Sequence, residues 1–427
     1  MRQSQIYCAA SRDATEKSAA ISQLIRLALL LKDFYRLKAD SSEMKVWFIG
    51  IKGAVATTIV VGVLAIRRGL SGSNGILSED KRFSKLNLAR LEDFQFGGHD
   101  IRSVALYDAA YQNVSNNSTF DTTQLAKLKG EIESIPVKCG IVNNCGDAIS
   151  SLCDNKRLTL SEAANQVSQE LREFAGDERC VVVNLASTEP YFAPQPEYAT
   201  LDSFEAALKA NSSKIPASAI YAYCAIKNGL PYINFTPSMG NDIPAIKELA
   251  NTRGVPHCGK DGKTGETLVK TALVPMFKYR HLTIEGWYGS NILGNLDGQI
   301  LRHPDNKQSK LLTKTSVVPK MLGYEPHLGS RIDYFPPLSD HKVAWDFISF
   351  KGFLGHRMNM QFTWQGCDSI LAAPLVIDLI RFVELAQRNG ARGLINTLAV
   401  YFKDPLDTDV LDLCSQYILF NEWIEQF

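Results

Sequence analysis

Short apolar runs bounded by glycine or polar residues recur through the first half of the chain. The first run, KVWFIG at residues 45–50, ends in glycine and is followed by TTIVVGVLAIRRG, whose apolar positions keep helical spacing up to Gly69. GILSE, at residues 75–79, then reads as a second strand. Because a buried parallel strand shows a continuous apolar run, these three segments predict a strand–helix–strand unit.

Three later runs have the same character. They are CGIVNN at residues 139–144, CVVVNLAS at 180–187 and YINFTP at 232–237. Helical patterns lie between them, including LTLSEAANQVSQELREFA and SAIYAYCAIKNG. This alternation of strands and helices predicts an α/β fold, a doubly wound parallel sheet with helices on both faces.

The pattern changes near residue 270. The segments HLTIEGWYGSNILG, DGQILRHP and SRIDYFPP alternate apolar and polar residues, and they predict strands of a separate, more antiparallel sheet. DSILAAPLVIDLIRFVELAQRNG, at residues 368–390, predicts one long helix with Asp368 or Ser369 as its N-cap. The chain therefore combines a doubly wound sheet with a second sheet of different character.

Charge and cysteine content narrow the class of protein. With 46 Lys and Arg against 45 Asp and Glu, the net charge is +1, which argues against nucleic acid or an acidic membrane as a partner. The nine cysteines form no C-x-x-C pair and no zinc-ligand spacing with histidine. We interpret them as reduced thiols of a cytoplasmic protein.

Residues 1–43 are treated separately as an N-terminal extension. The segment AAISQLIRLALLLKDFYRLK has the pattern of a basic amphipathic helix, and its apolar run is too short and too interrupted by charge to span a bilayer. No small-residue cleavage site follows it. Two interpretations stay open: a helical extension, or an upstream start codon with the domain beginning at Met44.

Two loops contain candidate anion-binding residues. GIKGAVATT, between the first strand and helix, is where a dinucleotide pyrophosphate would meet backbone N–H groups, although G-x-x-G is a weaker signal than G-x-G-x-x-G. Glu79 or Asp80 would then hold a ribose hydroxyl or be ordinary surface charge. GKDGKTGET, at residues 259–267, precedes a helical run and would suit a phosphomonoester or be an ordinary helix cap.

Lysines provide the remaining candidate chemistry. Lys310 and Lys314 in KQSKLLTKTSVV are four residues apart, which on a helix places two ammonium groups on one face. Like charges at that spacing repel, so the pair either faces an anion or lies on a solvated face. Lys342 and Lys403, each considered alone, would be read as surface lysines.

Taken together, these segments resemble the myo-inositol-1-phosphate synthase family. The resemblance runs from Met44 to Phe427, is strongest to the compact archaeal and bacterial members, and rests on FGGHDIR, NLASTEP, YINFTPS, DGKTGET, SNILGNLDG, NKQSKLLTKTSVV, PLSDHKVAWDF and CDSILAAPLVIDL. It implies an NAD-binding Rossmann domain at residues 44–265, an inserted catalytic and tetramerisation domain at 266–365, and a return to the first domain at 366–427. A homotetramer held by sheets of the inserted domain is therefore expected.

The family's reaction would make glucose 6-phosphate the substrate. NAD⁺ oxidises C5, the ketone acidifies C6, the C6 enolate attacks the C1 aldehyde, and the hydride is returned. The resemblance assigns NAD binding to Gly50, Ile51, Lys52, Gly53, Ala54, Asp100, Ala186, Ser187, Thr188, Asn295, Asp297, Asp340 and Asp368. It assigns the substrate phosphate to Thr264, Gly265, Glu266 and Thr267, and catalysis to Lys310, Lys314, Lys342 and Lys403.

The chemistry of this reaction independently explains why its active site would contain lysines. Enolisation and ring closure build negative charge on sugar oxygens, which fixed ammonium groups in a dry site stabilise, and a lysine with a lowered pKa can also move protons. The stimulating role of a divalent or monovalent cation stays open. Two alternative functions are an NAD-linked dehydrogenase of a phosphorylated sugar and a non-catalytic regulator that binds NAD or a sugar phosphate.

Three positions depart from the family pattern. Lys260 stands where members often carry an acidic residue, and Lys52 where many have Gly or Tyr. Glu266 stands where some members carry Gln, and a carboxylate beside a phosphate is unfavourable unless its backbone N–H makes the contact. The role of the Glu266 side chain is therefore in doubt from the sequence.

Overall fold

Two β-sheets organise the protein, as seen in a computed structural model that describes residues 43–153, 158–303 and 317–427. Among these residues, the first sheet has seven parallel strands in the order β3-β2-β1-β4-β5-β6-β11. They are β1 Met44–Ile49, β2 Phe94–Asp100, β3 Val137–Cys139, β4 Arg179–Asn184, β5 Tyr232–Asn234, β6 Pro256–Gly259 and β11 Gly393–Leu394. Six of these strands, β3-β2-β1-β4-β5-β6, have the order found in dinucleotide-binding folds. Such folds bind their ligands where the direction of winding reverses, which here is between β1 and β4.

Helices cover both faces of this sheet, and others pack against the second sheet. Along the chain they are α1 Ala54–Arg67, α2 Leu106–Asn117, α3 Thr122–Lys127, α4 Lys129–Glu133, α5 Asp147–Ser150, α6 Leu160–Ala175, α7 Leu201–Lys209, α8 Ala217–Lys227, α9 Pro244–Arg253, α10 Glu266–Tyr279, α11 Leu296–Ile300, α12 Val317–Leu322, α13 Asp368–Arg388 and α14 Leu413–Ile424. Successive β1 residues point to opposite faces: Val46 and Phe48 join the core beneath α1 and α13, whereas Trp47 and Ile49 join the core beneath α6 and α8.

The second sheet consists of β10-β9-β7-β8, where β7 is Thr283–Leu293, β8 His327–Tyr334, β9 His341–Lys351 and β10 Arg357–Cys367. The β7–β9 and β9–β10 pairings are antiparallel and the β7–β8 pairing is parallel. Residues on β9 alternate in burial, so that Lys342, Ala344, Asp346 and Ile348 all lie on the inner face. The predicted α/β fold class with a second sheet is confirmed.

The predicted strand at GILSE is wrong. Residues Leu77–Glu79 form a 3₁₀ turn, and the strand after α1 is β2, much later in the chain. Asp378 on α13 accepts hydrogen bonds from the backbone N–H groups of Leu77 (3.0 Å) and Ser78 (2.8 Å), and these contacts hold the turn. A short apolar run is ambiguous between strand and buried turn, and a partner 300 positions away decides the outcome here.

One further predicted strand and two boundaries also differ from the predictions. DGQILRHP contains helix α11 rather than a strand, because the Asn295 side chain caps it by accepting from the N–H of Gly298 at 3.0 Å. Helix α13 has Cys367 as its N-cap, so Asp368 is its first helical residue. Strand β3 ends at Cys139, where the predicted strand begins. Within the described ranges, every helix is too short or too polar to cross a membrane.

Candidate active site

The glycine turn after β1 begins the site. Gly50 has φ +85°, and a Cβ built there would lie 2.9 Å from the Cα of Ala186, so a larger residue would not fit against the neighbouring loop. The N–H of Gly53 donates to the carbonyl of Gly50 at 2.9 Å, which closes the turn. Gly53 is the N-cap of α1 and has no side chain to cap it, so the first N–H groups of α1 point toward the cavity beyond.

Asp100, the last residue of β2, fixes this turn. One carboxylate oxygen accepts from the N–H of Lys52 at 2.8 Å, and the other accepts from the N–H of Arg102 at 3.0 Å and from its Nε at 3.3 Å. Lys52 Nζ donates to the carbonyl of Arg102, and burial lowers the pKa of Lys52. The acidic residue at the end of the second strand is therefore Asp100.

The premise that Glu79 or Asp80 ends the second strand is accordingly wrong, and the alternative of a ribose contact loses its basis. Glu79 lies in the 3₁₀ turn, and its carboxylate pairs with Arg381 of α13 at 2.6 Å. Asp80 caps the next 3₁₀ turn by accepting from the N–H of Arg82. Both acids serve local structure because the segment that contains them is not a strand of the parallel sheet.

Two cavities flank the glycine turn and the loop after β4. The larger, of about 490 Å³, lies between the parallel sheet and the second sheet, and the smaller has about 90 Å³. Of the residues assigned above, the larger is lined by Lys52, Gly53, Ala54, Ala186, Ser187, Thr188, Thr264, Asn295, Asp297, Asp340, Asp368 and Lys403. Gly50 and Asp100 line the smaller cavity, which Gly53, Ala186 and Ser187 share. Ile51 is fully buried and lines neither cavity.

Polar residues of the second sheet and α13 form the far wall of the larger cavity. Asp340 accepts from the N–H of Ser369 at 2.8 Å and from Asn295 Nδ2 at 3.0 Å. Its own N–H donates to the side-chain oxygen of Asn117 at 2.8 Å. Asp297 Oδ1 accepts from the Thr188 hydroxyl at 3.3 Å, which ties the loop after β4 to α11. The Asp340–Asn117 and Thr188–Asp297 bonds join segments beside the parallel sheet to segments that adjoin the second sheet.

Lys342 reaches this wall from β9. It is 5% exposed, and its ammonium lies 3.9 Å from the carboxylate of Asp368. The Thr264 hydroxyl donates to the same carboxylate at 3.3 Å. Asp368 therefore lies between a lysine and the loop that was assigned to the substrate phosphate.

Lys403 also lines the larger cavity and is paired with Asp261 at 3.0 Å. The two residues lie on a short antiparallel ribbon, in which the N–H of Lys403 donates to the carbonyl of Asp261 and the N–H of Lys263 donates to the carbonyl of Tyr401. Gly262 and Phe402 form an antiparallel β-bridge in the same ribbon. This ribbon joins the loop before α10 to a loop near the C-terminus, so Lys403 and Thr264 have fixed relative positions.

The loop before α10 ends in a glycine N-cap. Gly265 packs against the indole of Trp364, since a Cβ there would lie 2.6 Å from its Nε1. The first N–H groups of α10 come from Glu266 and Thr267, both buried. The Glu266 carboxylate pairs with Lys270, one turn later, at 2.5 Å. Gly265, Glu266 and Thr267 lie beside Thr264 without lining the larger cavity themselves.

Not every predicted residue is placed by the structure. Lys310 and Lys314 lie outside the described residues. Asn117, Arg102 and Asp261 were missed by the sequence reasoning, although each contacts or lines the cavity. An asparagine on an amphipathic helix gives no sequence signal for such a role. Within the described ranges, no group of three or more His, Cys, Asp or Glu side chains is arranged to hold a metal ion.

Comparisons with known proteins agree with this architecture. A sequence model of the NAD-binding family described as myo-inositol-1-phosphate synthase matches residues 44–424. Inositol-3-phosphate synthase 1 of Bacteroides thetaiotaomicron is 35% identical over 412 residues, covering 91% of this chain and 94% of that protein. Inositol-3-phosphate synthase 1 of rice is 28% identical over 404 residues, covering 83% of this chain and 77% of that protein.

Solved structures show the same fold. The crystal structure of inositol-3-phosphate synthase from Caenorhabditis elegans has a TM-score of 0.82 at 22% identity, covering 90% of this chain and 85% of that one. A myo-inositol-1-phosphate synthase-related protein from Thermotoga maritima has a TM-score of 0.75 at 23% identity, covering 90% of this chain and 98% of that one. At these identities the likeness concerns the fold, and the sequence relatives carry the family assignment.

Proposed function

The chain belongs to the myo-inositol-1-phosphate synthase family, and on that premise we propose that it converts glucose 6-phosphate to inositol phosphate with NAD as a recycled cofactor. The observation that carries the proposal is the larger cavity. A glycine turn with a helix start lies on one side of it, and a threonine loop and Lys403 lie around the other, with Lys342 next to the lining residue Asp368. These features suit a dinucleotide and a phosphorylated sugar side by side.

The residues around the glycine turn fit NAD. Gly50 has no side chain, and no side chain caps the start of α1 at Gly53. Together with the adjoining backbone of Ala186, these two positions leave room for a pyrophosphate. The smaller cavity continues past Asp100, so we assign the adenosine half to it and the nicotinamide half to the larger cavity. When bound there, NAD would accept a hydride from C5 and later return it, so the reaction would have no net redox change.

Substrate binding is assigned to the loop before α10. We propose that the phosphate of glucose 6-phosphate accepts from the N–H groups of Glu266 and Thr267 and from the Thr264 hydroxyl. The Thr264 hydroxyl now donates to Asp368 at 3.3 Å and would turn toward the phosphate when substrate binds. The sugar would then extend into the larger cavity.

The lysines are assigned to the reacting end of the sugar. Fixed ammonium groups at Lys342 and Lys403 stabilise the negative charge that develops on O5 during enolisation and on O1 during ring closure. Asp368 and Asp261 hold these two lysines in place, at 3.9 Å and 3.0 Å. Lys310 and Lys314, outside the described residues, keep their proposed catalytic roles by resemblance. One of the four lysines would remove the proton from the C5 hydroxyl.

Assembly is proposed to be a homotetramer held by the second sheet. Its outer face carries aromatic side chains, with Tyr288 41% and Trp345 38% exposed and their rings 6.3 Å apart. Large exposed aromatic residues on an open sheet face favour contact with another chain. We also propose a cytoplasmic location, which the reduced state of the described cysteines supports.

The proposal is tested by incubating purified protein with glucose 6-phosphate and NAD⁺ and identifying the product by NMR. We expect inositol phosphate to accumulate while absorbance at 340 nm stays near baseline. A steady increase in NADH proportional to the substrate consumed would instead identify a sugar-phosphate dehydrogenase. Binding of NAD without any turnover would identify a regulator.

A further inference from the structure

A buried cluster of charged residues lies directly beneath the loop before α10, outside both cavities. It consists of Glu266 and Lys270 on α10 and Asp346 on the inner face of β9, with exposures of 1%, 5% and 0%. Removing charged groups from water is unfavourable unless they are paired, so this cluster needs a structural or functional reason.

The geometry shows that the protein makes space for this cluster. Lys270 Nζ lies 2.5 Å from Glu266 Oε1 and 3.5 Å from Asp346 Oδ1, and Trp287 Nε1 donates to the same Asp346 oxygen at 2.6 Å. A Cβ at Gly289 on β7 would lie 2.8 Å from Glu266 Oε1, so the glycine leaves room for this carboxylate. Burial alone would lower the pKa of Lys270, but the two carboxylates outweigh it and raise this pKa.

Glu266 creates a conflict with the proposed phosphate site. It is the first residue of α10, and its N–H is one of the groups assigned to the substrate phosphate. Whatever its rotamer, a glutamate carboxylate lies within about 5 Å of its own backbone nitrogen. A phosphate bound at this helix start would therefore meet a second anion at short range in a poorly hydrated environment.

We propose that Lys270 is a positioning residue that makes this helix start selective for a phosphomonoester. By pairing with Glu266, it cancels the charge of the carboxylate and holds it against the sheet, so that the phosphate meets only the N–H groups. The inference rests on the proposed function, because it assumes that a phosphate binds at this helix. It assigns a role to a residue that contacts neither cavity.

The test compares Lys270→Met, Glu266→Gln and the double variant in steady-state kinetics. Because Lys270→Met removes the ammonium that pairs with Glu266, we expect its KM for glucose 6-phosphate to rise at least 10-fold, about 1.4 kcal/mol, while kcat changes less than 3-fold. Because the double variant removes both charges, its KM should return to within 3-fold of the unmodified protein. Lys278→Met is the matched control, since this exposed lysine lies on the same helix two turns later.

Each outcome decides the proposal. A purely structural cluster would lower the melting temperature of Lys270→Met without a KM effect that Glu266→Gln reverses, and that result would overturn it. If Lys270→Met does not fold, Glu266→Gln is compared with the double variant, and a KM difference above 3-fold between them overturns the proposal.

If no variant turns over glucose 6-phosphate, calorimetry with inorganic phosphate keeps the test separate from the proposed function. The expected pattern is then a 10-fold weaker Kd that Glu266→Gln restores, and absence of phosphate binding refutes it.

Discussion

Replacing Lys403 with alanine should reduce both turnover and stability, and the two losses have different origins. Lys403 and Asp261 are 7% and 3% exposed and lie 3.0 Å apart. Removing one partner of a buried ion pair leaves an uncompensated charge and costs about 3–5 kcal/mol. For a chain of this length, we expect the melting temperature to fall on the order of 5 °C. The loss of one fixed charge at the reacting sugar should reduce kcat about 10²–10³-fold.

The double variant Lys403→Ala, Asp261→Asn separates these losses. Because asparagine removes the carboxylate charge that Lys403 had compensated, more than half of the lost stability should return while kcat stays low. Lys247→Ala is the matched control: its pairs with Asp242 and Asp407 are partly exposed, so its effect should stay below about 1 kcal/mol. Differential scanning calorimetry and the NMR product assay measure the two quantities. A Lys403→Ala protein with near-normal turnover would refute the catalytic assignment, and an unchanged melting temperature would refute the argument from the buried pair.

Three further predictions address other parts of the molecule. Gly50→Ala should weaken NAD binding at least 10-fold by calorimetry, because φ +85° and the 2.9 Å approach to Ala186 oppose a side chain; Gly69→Ala, also at positive φ but in open space, is the control. Burial raises the pKa of Glu189 to about 7, so its contribution to the unfolding free energy should decrease by about 3 kcal/mol as pH rises from 4.5 to 7. Glu189→Gln should abolish that slope, and an unchanged slope in chemical denaturation would contradict the assignment. Trp345→Glu should reduce the mass measured by light scattering, because it places a charge on the sheet face proposed to join the subunits. If the unmodified protein has the mass of a monomer, the proposed tetramer is wrong.

Local sequence predicted the parts of the fold that local interactions determine. Strands β1, β4 and β5 were found because each is a continuous apolar run with no competing turn residue. The strand prediction at GILSE was wrong because the conformation of this segment depends on Asp378, which is remote in the sequence. The helix that replaces the predicted strand at DGQILRHP depends on one asparagine cap, whose side-chain bond outweighs the alternating pattern.

The candidate site was predictable only through segments that resemble the family. Thr264 and Lys403 come from loops 139 residues apart, and no spacing rule relates them. The Asp261 partner of Lys403 has the same difficulty, with 142 positions between the pair. The Glu266–Lys270 pair, in contrast, has the i, i+4 spacing of a helical ion pair and was visible in the sequence, but its burial was not.

The ribbon between residues 259–263 and 401–406 has a consequence for the order in which the protein matures. Leu406 donates its N–H to the carbonyl of Gly259, and Lys260 and Asp404 exchange backbone hydrogen bonds, so the phosphate loop is completed by the last part of the chain to be synthesised. Since the residues assigned to NAD, up to Asp368, all precede residue 401, a growing chain would contain its complete dinucleotide crevice before it has a sugar-phosphate site. Incomplete or C-terminally clipped chains would then retain NAD without consuming glucose 6-phosphate.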